Sequence, residues 1–444
     1  MTPPADNPVR GWSEAFEQAR AGLPGGERLA ALREGAFASF ARRGFPTRRD
    51  EDWKYTSLRP IEKRAFRPAP AAPLAVPAAR IDAVAFADVD CHRLVFVNGA
   101  FAPQHSDTGP GPGGVHIESL ANLLSRGSAH DSGSLARQAD GHRFAALNAA
   151  FVRDGAVIHA GRHAKPAMPI YLLFVSTPGA DPVAVHPRVL VTADAGASLT
   201  VIEHFAGLDD AANFTNTVTD IAAGPDACVE HYRIQDESRH GFHIGGLHVR
   251  QDRDSRVFSH HIDLGGYLSR NDIEVALDGE GAEVTLNGLY LAGGRQHMDS
   301  HTRIDHLKPH TRSREDYRGV LKARARAVFN GKIRVHQNAQ KSEAHQSNRN
   351  LLLSDEAEID TKPELEIYAD DVKCTHGATI GQLDEDALFY LRTRGIGEDM
   401  ARGLLTFAFA DGVIARFGLA PIRRHLERIV VGRLPDAERI REFV

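Results

Sequence analysis

Residues 156 to about 381 hold one short alternating apolar stretch after another, with no helical period between them. Residues 188–191, 198–204, 228–234 and 282–287 each alternate apolar and polar side chains, the pattern of a strand with two unlike faces. Turn-forming residues introduce several of them: Asp194-Ala195-Gly196, Gly224-Pro225-Asp226, Asp252-Arg253-Asp254, Gly279-Glu280-Gly281 and Asp355-Glu356-Ala357. The turns return irregularly, about every 27 to 32 residues for most, with a longer step after Gly281. A unit of that size cannot bury its apolar face alone, so the units must stack. A parallel β-helix meets the requirement, with Val, Leu and Ile turned inward and polar rungs outward. A flat β-sandwich is the competing architecture, because it asks for the same alternation.

The flanks read differently. Between residues 12 and 66, Phe16, Ala19, Leu23, Leu29, Leu32, Phe37 and Phe40 recur at helical steps, broken at Pro24-Gly25-Gly26. Residues 67–80 carry four prolines and predict a stiff extended linker. Residues 93–101 predict a hairpin at Asn98-Gly99, and residues 144–151 a helix ending near Asp154-Gly155. After 381 helical spacing returns. Asp384-Glu385-Asp386 marks a helix start, Met400, Leu404 and Phe407 form an apolar stripe, and Pro421 opens a short basic amphipathic helix with Arg423 and Arg424. The expected division is a helical segment 1–154, a β core 155–383 and a helical segment 384–444 whose helices cap the solenoid.

Composition narrows the function. Across 444 residues the net charge is −5, so no basic field invites nucleic acid. The longest apolar run, 403–420, is interrupted by Asp411 and Arg416 and spans no membrane. The first residues lack a secretory pattern, and Cys91, Cys228 and Cys374 form no pair; both point to the reducing cytoplasm. No phosphate-binding Gly-x-x-x-x-Gly-Lys loop, Gly-x-Ser-x-Gly, His-Glu-x-x-His or dinucleotide fingerprint is present, so nucleotide hydrolysis is not expected. The 23 histidines fill rungs or surface positions, or else mark a metal-storage protein. A polysaccharide-processing β-helix using Asp370, Asp371 and Arg394 is a further alternative, opposed by the absent leader.

The densest chemistry lies in residues 330–396, where Asn, Gln, His and acidic residues surround short apolar pairs. Side chains alternate along a strand, so Cys374 and His376 share a face. A thiolate and an imidazole suit iron, zinc or an iron–sulfur cluster. Val372 has the same parity, so a packed interior faced by all three is the alternative reading. Two ligands do not close a site; others would come from elsewhere in the chain or from a second subunit.

Asp371-Val372-Lys373-Cys374-Thr375-His376-Gly377-Ala378-Thr379, with Leu388-Phe389-Tyr390-Leu391-Arg392-Thr393-Arg394-Gly395-Ile396, resembles the C-terminal hallmark of the SufB/SufD family. The segment from Pro46 to Thr56 resembles a block near the start of that family, and residues 147–155 resemble its entry to the core domain. The intact Cys-x-His-Gly-Ala-Thr run is similar to the SufD branch. The resemblance implies a right-handed parallel β-helix between helical domains, and a non-catalytic scaffold subunit of the SUF iron–sulfur cluster assembly complex. It implies SufB as heterodimer partner and the SufC ATPase docked on the C-terminal helices through Met400, Leu404, Phe407, Arg423 and Arg424. A transient Fe–S cluster shared with SufB would then form at their interface, with no nucleotide bound by this chain. His376 would be the ligand from this side and Cys374 a secondary one, SufB supplying the main sulfur-accepting cysteine.

Overall fold

The computed structural model describes residues 8–127, 142–179, 181–434 and 438; residues 1–7, most of 435–444 and residues 128–141 of the expected end segments lie outside the described residues. The repeat forms a parallel β-solenoid of about eight coils. Each coil gives one strand to an eleven-stranded sheet and one to a ten-stranded sheet, so a strand lies beside the second strand after it. Phe242 pairs with Leu268, 26 residues on, and Arg326 with Glu358, 32 residues on. The ladder is parallel from Ile170–Ser176 to Lys373–Gly381, which decides against the antiparallel sandwich.

The corners explain the turn residues. Gly196, Asp226, Asp254, Gly281, His310 and Lys341 all have left-handed backbone at equivalent places in successive coils. Gly281 adopts this backbone with no steric cost, having no Cβ. Asp226 and Asp254 tolerate the same conformation because short polar side chains visit it at low cost. Backbone hydrogen bonds continue through the stack: Asp226 N donates to Arg253 O at 2.9 Å, His310 N to Gln340 O at 3.0 Å and Lys341 N to Asp371 O at 2.6 Å. Asp371 is thus the last corner, and Asp370 precedes it.

Val191, Leu199, Val229, Val257, Ile273, Leu286 and Ile333 pack between the sheets as expected. The polar rungs, expected outside, are partly inside. Glu203, His231, Arg233, His261 and Asp263 are buried among the coils, with His231 Nε2 bonded to Glu203 at 2.8 Å. The expectation fails because both outer faces are also covered, so both strand parities are buried and alternation cannot say which is inside. Helices Pro8–Ala19, Gly26–Arg43 and Arg143–Phe151 lay Trp12, Phe16, Phe40 and Phe151 in one cluster with Phe214 and Phe242 of the first sheet. Helices Glu398–Ile414 and Ala420–Gly432 set Val413, Ile414, Ile422 and Leu426 with Tyr171, Ile202, Tyr232 and Ile262 of the second.

The sheets begin ahead of residue 155. His92–Val97 turns at Asn98 and Gly99, both with positive φ, into Ala100–Phe101, and also pairs in parallel with Ile170–Ser176. The proline-rich stretch is no simple linker: Arg67–Pro68 pairs with Val183–Ala184, and Ala78–Val84 is helical.

Candidate functional site

Cys374 and His376 lie on the outermost strand of the ten-stranded sheet, Lys373–Gly381, where every residue except half-buried Cys374 is exposed. The register sets Cys374 beside Ala344 and His376 beside Gln346. Gln346 is buried and its Nε2 donates to Glu315 Oε2 at 2.7 Å, so Glu315, Gln346 and His376 are successive rungs of one inward-facing column. His376 ends that column at the open last coil. Val372 and Cys374 pack against the interior cluster, and burial pushes the Cys374 thiol up, away from the thiolate a ligand needs. Thr375, of opposite parity, bonds His345 Nδ1 at 2.8 Å. Among the described residues no third His, Cys, Asp or Glu completes a metal-sized group with Cys374 and His376.

The C-terminal residues divide by exposure. Asp384 caps helix Glu385–Thr393, accepting from Asp386 N and Ala387 N. Met400 is buried against Val431, with Leu404 and Phe407 packed on the pair, so the stripe joins the two last helices to each other. Arg423 is half-buried and Arg424 exposed. The exposed apolar surface is on the first helix instead, with Phe389 69% and Tyr390 57% accessible. Arg394 stacks on Tyr390, 5.0 Å from the ring, whereas Asp371 forms the last corner of the solenoid.

The Pro46–Thr56 segment is pinned to the first sheet by one buried guanidinium. Arg270 lies 3.7 Å from the Trp53 ring centre, donates from Nη1 to Asp299 at 2.7 Å and to the Asp52 carbonyl at 2.8 Å, and binds Asp272 through Nη2 at 2.7 Å. Thr56 Oγ1 donates to Asp299 Oδ2 at 2.5 Å. Burial raises the Asp299 carboxyl, but the charges of Arg270 and His301 outweigh it and hold the group well below the usual carboxylate range. The aromatic anchor is Trp53; Tyr55 contributes a contact with neighbouring Lys54.

Beside this segment a cleft of about 510 Å³ is lined by Arg43, Asp50, His142, Glu274, Arg303 and Lys332 among others. At its edge His142, His248 and Glu274 bring one ligand atom each to within 4.8 Å of one another, a group that sequence spacing did not reveal.

Two family descriptions match the chain: "SufBD protein N-terminal region" over residues 12–172 and "SUF system FeS cluster assembly, SufBD core domain" over residues 174–409. The chain belongs to the SufB/SufD family. A SufBD family iron–sulfur cluster assembly protein of Synechocystis sp. is 35% identical over 411 residues, 90% of each chain. The iron–sulfur cluster assembly protein SufD of Escherichia coli is 32% identical over 98% of this chain and 99% of its own length. That of Bacillus subtilis is 26% identical over 66% of this chain. Membership in this SUF-system family fits a solenoid with N-terminal and C-terminal helices laid on its sheets. Among the described residues no helix is long and apolar enough to cross a membrane.

Proposed function

We propose that this chain is the SufD-type scaffold subunit of a SUF complex: it pairs with SufB through its open last coil and is moved by the SufC ATPase docked on its C-terminal helices. It performs no catalysis and binds no nucleotide; a nascent iron–sulfur cluster is its cargo, built at the SufB-facing edge with His376 as ligand. The observation that carries the reading is that edge. Strands Glu358–Ile367 and Lys373–Gly381 end their sheets with no further strand beside them among the described residues, and Ile367, Tyr368 and Ile380 stand exposed there. A solenoid end needs a cap, and an open strand edge takes strand addition from a partner.

Similarity to the SufD proteins of Escherichia coli and Bacillus subtilis supports the branch. Residues 1–154, 155–383 and 384–444 keep their proposed roles, with the first strands of both sheets drawn from the N-terminal segment. Three free thiols, Cys91, Cys228 and Cys374, support a reducing cytoplasmic setting.

The test is iron and acid-labile sulfide in the complex purified anaerobically after co-expression with the SufB and SufC counterparts. His376 is exposed, so His376→Ala should leave the fold within about 0.5 kcal/mol. The three proteins are expected to co-purify, with cluster content lowered severalfold in the variant. Equal content would move the site to SufB; failure to co-purify would remove the partnership.

A further inference from the structure

We propose that His142, His248 and Glu274 form a binding site for one divalent first-row transition ion, clamping the N-terminal helices to the solenoid. The three ligands come from three elements. His142 stands at the N-cap of helix Arg143–Phe151, its side chain making no capping hydrogen bond. His248 and Glu274 lie on adjacent strands, Phe242–Gln251 and Leu268–Leu277, in direct register on the outer face. Neighbouring strands are about 4.8 Å apart, so register alone brings two ligating side chains side by side.

The distances suit an ion. Tetrahedral ligands about 2.1 Å from zinc are about 3.4 Å from one another. His142 Nε2 and Glu274 Oε1 are already 3.1 Å apart, and all three ligand atoms fall within 4.8 Å. Small side-chain rotations close the remainder. An ion pair between His142 and Glu274 would need no second imidazole. A shared cation gives both rings, in their neutral forms, a common partner.

The surroundings match a ligating histidine. His248 Nδ1 is buried without a hydrogen bond, and Asp220 Oδ1 stands 3.6 Å from it. Asp220 is itself held by fully buried Arg188, whose Nη2 donates to it at 2.8 Å. A carboxylate on the far nitrogen is the usual partner that orients a metal-bound imidazole. Arg303, in register with Glu274, bonds Asp305 at 2.8 Å and reaches Glu274 only as a nearby charge, so the hydrogen-bond partner of the Glu274 carboxylate is His142. Two imidazoles and one carboxylate select iron(II), zinc or cobalt(II) over oxygen-seeking calcium or magnesium. Three protein ligands leave a coordination position open to the adjoining cleft, as in exchangeable sites.

The probe is cobalt(II), added to the metal-free full chain and followed by its visible absorption, then displaced with zinc. One equivalent per chain is expected, with the band absent in His248→Ala and Glu274→Gln and the affinity about tenfold lower in Asp220→Asn. His376→Ala should keep the band, which separates this site from the proposed cluster ligand. Urea unfolding of the metal-free proteins checks their fold. Should His248→Ala unfold, His142→Ala gives the same test, because that side chain is 44% exposed. A wild type without the band, or folded variants binding as wild type does, would overturn the site.

Discussion

Glu315 shows what a polar rung inside a solenoid costs. It is fully buried, and one of its oxygens accepts from Gln346 at 2.7 Å. Burial pushes its carboxyl up to about 7 from an ordinary 4.5, a rise that Gln346 and the nearby Thr302 hydroxyl only partly offset. Below pH 4.5 both folded and unfolded chains hold the proton and no stability is lost. As pH rises toward 7 the unfolded chain releases the proton while the folded one keeps it, so stability falls through that window. At 1.36 kcal/mol per pH unit the loss reaches about 3 kcal/mol above pH 7. Glu315→Gln removes the titration, and its new amide can donate to Gln346 Oε1, which is buried without a partner. Urea unfolding should find the variant about 2–3 kcal/mol more stable than wild type at pH 8, with the gap closing toward pH 4.5. A gap independent of pH would show that the carboxyl is not neutral in the folded chain. Sequence spacing could place Cys374 and His376 on one face, because strand alternation is local. It could not place Glu315 inside or join His142 to His248 and Glu274, because those neighbours are set by coil register and by a helix from a distant segment.

At the scale of elements, local signals were read and their destinations were not. The Asp384 cap and the Pro421 start follow from the chemistry of helix ends, and both stand where the sequence put them. Residues 67–80 read as a linker because a two-residue bridge to Val183–Ala184 leaves no periodic trace. The stripe Met400, Leu404 and Phe407 was legible as apolar; Met400 is buried against Val431, and Leu404 and Phe407 are half-buried beside the pair. Proposed docking of SufC therefore rests first on helix Glu385–Thr393, where Phe389 and Tyr390 are exposed, with Arg423 and Arg424 on the last helix beside it in the proposal. Phe389→Asp should weaken binding of purified SufC at least tenfold while leaving the unfolding midpoint unchanged, since an exposed ring contributes little to the fold. Met400→Ala, by contrast, should lower stability by about 2 kcal/mol or more. Unaltered SufC binding in Phe389→Asp together with its loss in Arg424→Glu would move the contact to the last helix.

For the whole molecule, the consequence of two covered faces is that the C-terminal helices are part of the core. In a bare solenoid each coil touches only its neighbours, and stability is a sum of local terms. Here Ala420–Gly432 and the residues flanking it cross coil after coil: Phe417 meets Tyr232 and His260 edge to face, His425 meets Phe86, and Arg433 bonds Asp236 and the Leu264 carbonyl. Val413, Ile414, Phe417, Ile422, Leu426 and Val430 are all buried in the cluster that also contains Tyr171, Ile202, Ile262 and Leu289. At about 1.5–3 kcal/mol per buried side chain these six contribute at most about 9–18 kcal/mol, comparable with the entire stability of a typical domain. Ending the chain after Gly397 would expose that face of the second sheet along several coils. The truncated protein should bind a hydrophobic dye, lose its cooperative unfolding transition and aggregate, so absent SufC binding in it would say nothing about docking. A soluble truncated chain with a sharp transition and no dye binding would mean that the coils hold one another without the helices. The solenoid would then be the independent unit, and the helices an appendage free to move with a partner.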